Sequence, residues 1–299
     1  MYWPVDLLPA SLKDQHANVL VYGYNADVYG GFWERPIKSP SDNFIHHHAQ
    51  TLVTTLTHYR KSEGTERNPI IWVAHSLGGI VTKRALLYSN DLRDPNQDDL
   101  RSIYVSTYGI IFLGTPHNGS SAAAWGGVIQ RMADVVVPRK MFETESVLLK
   151  SLKKDSETLQ QIANHFLDIY QKFKIHMAHE NQKTDVKGSK YVSPIEVLPC
   201  TQSTNFLRML VVDAASASPQ LVGVTYYGIE ATHKGMCKFA SETAPGYRTI
   251  STAIREWIAD APNVTPIRWE VEEDQRRMRA NLDNFERARL YVSFRAFIG

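Results

Sequence analysis

The sequence predicts an α/β fold: a mostly parallel sheet with helices on both faces. Short apolar runs of strand length alternate with segments of helical period along most of the chain. That alternation implies parallel strands joined by crossover helices, which bury the sheet on both sides. The composition agrees, because 43% of the 299 residues are apolar and 21% are charged, as in an ordinary globular protein. No internal repeat or low-complexity tract breaks the pattern.

Asn18–Tyr24 (NVLVYGY) reads as a buried strand. The next helix carries Ile45, Ala49, Leu52, Leu56 and Tyr59 on one face, with Ser41 or Asp42 as its cap. Ile70–Ala74 (IIWVA) is a strand, and after a tight turn Gly79–Tyr88 is a helix. A polar stretch, DLRDPNQDDLRS, leads to the strand Tyr108–Gly114. Residues 120–172 are helical, most clearly Thr158–Phe173, where Leu159, Ile162, Phe166, Ile169 and Phe173 form one stripe. Trp125, Val128, Met132, Val135 and Met141 make the earlier part a candidate lid over an apolar pocket, or plain core. Lys174–Glu180 (KIHMAHE), Phe206–Val212 (FLRMLVV) and Val222–Tyr227 (VGVTYY) read as further strands, and Thr249–Ile258 as a closing helix. Beyond about Pro262 the chain is densely charged, with Trp269, Met278, Leu282 and Phe285 as its apolar residues. That composition suits a solvated helix or linker. The expected division is a domain over 1–262 and a charged helical tail over 263–299.

Composition excludes several functions. Lys+Arg number 33 and Asp+Glu 31, a net charge of +2, so nucleic-acid binding has no electrostatic footprint. No run approaches the ~18 apolar residues of a membrane span. The first residues lack the basic and apolar regions of a secretory signal. Cys200 and Cys237 alone make no disulfide framework, so a reducing, intracellular setting is expected.

The sharpest motif is Ala74-His75-Ser76-Leu77-Gly78, a G-x-S-x-G elbow with Ala74 in the first glycine position. Small residues on either side of Ser76 let a strand and a helix meet at a sharp turn. The following helix aims its positive end at the serine, and the Leu77 N–H is the expected oxyanion donor. A nucleophilic serine needs a base and an orienting acid, in the order Ser, acid, His. His233 follows the last strand signal and is the expected base. His46, His47 and His48 lie within a helix, His75 should point away from the serine, and His117 reads as a loop residue. Glu180 and Asp213 both end predicted strands, where open α/β sheets place their sites; Glu180 is the preferred acid and Asp213 the alternative. Cys237 lacks an elbow and reads as a packed thiol. No metal or cofactor is expected.

Five ordered segments, YWPVDLLP, NVLVYGYNADV, IIWVAHSLGGIVTKRAL, STYGIIFLGTPHNGS and HKGMCKF, carry a family resemblance that extends over roughly residues 3–258. They resemble the lipase-like serine esterase family of serine-active-site-containing proteins and of the N-terminal domains of fungal NACHT-type receptors, within the α/β-hydrolase superfamily. The resemblance implies Ser76 as nucleophile, His233 as base and support for Glu180. It also implies hydrolysis of carboxylic esters, with small-molecule, lipid or acyl esters as the substrate partners, and peripheral association with mitochondrial or endoplasmic reticulum membranes. The family's strand ending in His-Gly-Leu-Gly-Gly, which supplies a second oxyanion donor, has no counterpart here, so the fold reads as N-terminally truncated. Loss of one such donor costs ~10²–10³ in rate. A longer connection, KGSKYVSPIEVLPCTQSTNFL, is a further departure. The rival expectation is therefore a weak or inactive sensor module of a NACHT-type receptor.

Overall fold

The computed structural model describes residues 2–12, 15–23, 44–117, 127–128, 131, 156–187 and 206–298. Four parallel strands, β1 (Ile70–His75), β2 (Thr107–Leu113), β3 (Lys174–Glu180) and β6 (Val224–Ile229), form one sheet in the order β1-β2-β3-β6. Two short strands, β4 (Thr184–Lys187) and β5 (Phe206–Met209), make a separate antiparallel pair. Among the described residues the bounded α-helices are α1 (Trp3–Asp6), α2 (Leu8–Leu12), α3 (Phe44–Ser62), α4 (Leu77–Asp91), α5 (Asp98–Ser106), α6 (Ser156–Phe166), α7 (Ala214–Ala217) and α8 (Tyr247–Ile298).

Alternation along β2 divides the core. Ile110 and Phe112 join Leu52 of α3, Leu86 of α4, Ile103 of α5 and Phe166 of α6 on one face. Ile111 and Leu113 join Leu8 of α2 and Ile250 and Trp257 of α8 on the other. A sheet buried on both faces explains the continuous apolar run of β2, every residue of which is buried. The α/β architecture is thus the one the alternation implied.

Four local expectations differ. Asn18–Gly23 is exposed and irregular rather than a buried strand. A strand needs a hydrogen-bonded neighbour, which β-propensity does not provide, and among the described residues β1 pairs only with β2. The FLRMLVV run does not enter the main sheet. Its first four residues form β5 beside β4, while Val211 and Val212 are buried in a small cluster with Val128 and Ala217; the place next to β3 is taken by β6. The polar DLRDPNQDDLRS stretch contains the start of α5, whose Arg101 is buried against Glu272 at 2.9 Å. Finally, α8 continues through Pro262 and Pro266, and the part expected to be solvated buries Thr265, Trp269 and Glu272. Apolar and paired contacts decide burial there, not charge density. Met278, Leu282 and Phe285 are exposed.

Candidate active site

The site stands at the C-terminal ends of β1, β3 and β6. β1 ends at His75, and α4 begins at Leu77, leaving Ser76 alone at the turn. Ser76 has φ 55°, the only positive φ among the described non-glycine residues. A left-handed backbone at a serine is strained, and such strain persists only where the surroundings enforce it. Here the Ser76 N–H donates to the Leu113 carbonyl at 2.9 Å, and the Thr115 hydroxyl donates to the Ser76 carbonyl at 3.1 Å. Thr115 also packs so close to Gly79 that a Cβ there would lie 2.1 Å from the Thr115 hydroxyl oxygen. Glycine at 79 is therefore a requirement of the close approach between α4 and the loop after β2.

His233 lies in the irregular loop after β6, and its Nε2 is 2.9 Å from Ser76 Oγ. On the other side of the ring, Nδ1 is 2.9 Å from Glu180 Oε2, at the end of β3. Both side chains are buried, and the two atoms have no other hydrogen-bond partner among the described residues. The second carboxylate oxygen, Oε1, accepts the Val211 N–H and the Val212 N–H, the latter at 3.1 Å. Two main-chain donors therefore aim Glu180 at the imidazole. Asp213, the alternative acid, instead caps α7 by accepting the Ser216 N–H at 2.8 Å. Leu77 is the first residue of α4, so its N–H is one of those that helix geometry leaves without an intrahelical acceptor.

The remaining candidates fall elsewhere. His46 of α3 meets Arg84 of α4, which with burial holds its pKa below the usual histidine value. Cys237 is half-buried, and burial pushes its thiol up, away from the reactive thiolate. His117 is fully buried, its N–H donating to the Ser216 carbonyl at 2.8 Å and its ring edge-on to Phe112. Burial and nearby Lys83 pull its pKa well down. Lys83 of α4 lies over the Phe112 and Phe166 rings, and burial lowers its ammonium to about 7. No group of metal-ligating side chains occurs among the described residues. Of the candidate lid residues, Val128 is buried against Val211, Val212 and Ala217, while Trp125, Met132, Val135 and Met141 lie outside the described residues. Cys200 and most of the long connection after β4 also lie outside them.

Sequence reasoning missed the main-chain donors of Val211 and Val212, the Thr115 brace and the contact of His75, whose Nε2 is 2.8 Å from the His233 carbonyl oxygen. The GTPHNG segment was a visible signal for Thr115; a main-chain donor leaves no signal in residue identity.

The chain is similar to Protein SERAC1. The Danio rerio protein is 28% identical over 241 residues, covering 79% of this chain and 30% of that relative. The Homo sapiens protein is 25% identical over 200 residues, covering 67% and 26%. The chain thus spans less than a third of the length of these relatives. No protein-family model matches it, and no solved structure does. The parallel-sheet fold and these relatives fit an α/β-hydrolase-like class; they lend no support to the NACHT-type resemblance.

Proposed function

We propose that the protein is a serine hydrolase of carboxylic esters. The observation that carries the reading is a strained serine at a strand-to-helix turn with an imidazole nitrogen 2.9 Å from its hydroxyl. Ser76 Oγ attacks the ester carbonyl carbon while His233 Nε2 takes its proton. The Leu77 N–H stabilises the oxyanion at the positive end of α4. As the carbonyl re-forms, the leaving alcohol departs with the proton from His233, and Ser76 is left acylated. Water, deprotonated by His233, then releases the acid and restores the serine. Glu180 keeps the Nδ1 hydrogen in place and balances the imidazolium through both steps.

The family resemblance carried by the sequence motifs extends the proposal to lipid or acyl esters, met at mitochondrial or endoplasmic reticulum membranes. Among the described residues no helix is long and apolar enough to cross a membrane, so association at the membrane surface is the form proposed. A fluorophosphonate probe tests the reaction class. Labelling of the protein that disappears in Ser76→Ala, together with turnover of p-nitrophenyl esters, is the expected result. A folded protein that neither labels nor turns over ester would reject the hydrolase in favour of an inactive module.

A further inference from the structure

We propose that His75 is a positioning residue: its Nε2–H grips the main-chain carbonyl of His233 and keeps that imidazole in register with Ser76. The inference rests on the hydrolase reading and adds to it a side chain that touches no reacting atom. His75 closes β1 immediately before the serine, and its Nε2 lies 2.8 Å from the His233 carbonyl oxygen. A carbonyl oxygen only accepts, so Nε2 must carry the hydrogen and Nδ1 must be bare. The two rings lie 4.9 Å apart, tilted by 43°.

The contact matters because of where His233 sits. Its loop is irregular, held locally by Gly235 and Met236 N–H groups that both donate to the Thr232 carbonyl. Those bonds shape the turn after His233 but do not tie its main chain to the nucleophile. His75 does, since it closes β1 and is joined directly to Ser76 at the turn. One imidazole therefore fixes the distance between two neighbouring attachments, the base's main chain and the serine's. Misplacing a reacting group by about 1 Å can cost ~10²-fold in rate.

A donor at this position must also be uncharged, because a cation would oppose the imidazolium that His233 becomes. His75 meets that condition. Burial, with His233 and Lys238 nearby, lowers its pKa to about 4, so it remains a neutral donor near neutral pH.

The test compares His75→Leu with His75→Gln, whose amide can place an N–H near the position of Nε2. His75→Leu should lower kcat on a p-nitrophenyl ester by ~10–100-fold with KM nearly unchanged, and His75→Gln should recover most of the loss. Imidazole-edited NMR supplies a readout that needs no turnover. The wild-type spectrum should show His75 as the Nε2–H tautomer and a downfield Nδ1–H proton from His233. That downfield proton should vanish in His75→Leu and persist in His75→Gln. An Nδ1–H tautomer at His75, or a His75→Leu protein that keeps both the downfield proton and full kcat, would overturn the assignment. If the NMR pattern appears as expected in a protein without ester turnover, the positioning role stands and the hydrolase reading fails.

Discussion

Replacing Lys83 by Met should stabilise the protein, and the size of the gain can be worked from its surroundings. Lys83 is 3% exposed, and its ammonium lies 5.6 Å and 5.3 Å from the Phe112 and Phe166 ring centres. Aromatic faces attract a cation, but they replace only part of lost hydration. A fall in pKa from 10.5 to about 7, at about 1.4 kcal/mol for each tenfold change in proton affinity, corresponds to on the order of 5 kcal/mol. The sign follows from proton binding. Below about pH 7 the lysine is charged in both states, and the whole penalty is present. Between about 7 and 10.5 the folded protein binds fewer protons than the unfolded chain, so stability rises with pH by up to about 1.4 kcal/mol per pH unit. Met has nearly the same shape and nothing to desolvate. Urea unfolding between about pH 7.5 and 9 should therefore give a rising profile for the wild type. Lys83→Met should lie above it by several kcal/mol at the low end, with a flatter slope. His117 does not confuse this window, because it is neutral when folded and an ordinary histidine is neutral there too. Parallel profiles, or a Met variant less stable at pH 7.5, would refute the reasoning.

On the proposed function, Glu180→Gln should slow ester turnover by ~10³–10⁴-fold, as loss of the orienting carboxylate does in serine hydrolases. Asp213→Ala should cost about 1 kcal/mol through the lost cap and keep fluorophosphonate labelling; equal losses in both variants would contradict the assignment of Glu180. Gly79→Ala should destabilise by about 1–3 kcal/mol in thermal unfolding, and Thr115→Ala in the same protein should recover part of it, because the Thr115 side-chain atoms are what the new methyl meets. Glu272→Ala should cost about 3–5 kcal/mol by stranding the buried Arg101 cation, whereas the double change Arg101→Met with Glu272→Met should fall close to wild type in urea unfolding.

The sheet, its parallel sense and the elbow were legible because they are written locally. Strand-length apolar runs mark β1, β2, β3 and β6, and the small residues around Ser76 mark a turn that tolerates little else. Glu180 was preferred over Asp213 from the order of strands, and its carboxylate is the one beside His233. The misreadings all concern partners distant in sequence. NVLVYG has strand composition but forms no strand among the described residues, and FLRMLVV has it with a different neighbour from the one expected. The start of α5 looked like a polar loop because its buried Arg101 finds its acid 171 residues away. The charged tail concealed Trp269 and Glu272 for the same reason: their burial is decided by what lies opposite them.

The length of α8 has a consequence for how the protein comes apart. Tyr247, Ile250 and Trp257 cover one face of the sheet, while Trp269 of the same helix belongs to the apolar cluster on the other face. Unfolding either layer by itself would require breaking the helix between them, so the two layers are expected to melt together. Packed side chains on α8 therefore extend past Pro262 to Thr265, Trp269 and Glu272. A chain cut at 262 would lose Trp269 from one layer and leave Arg101 without its acid in the same stroke.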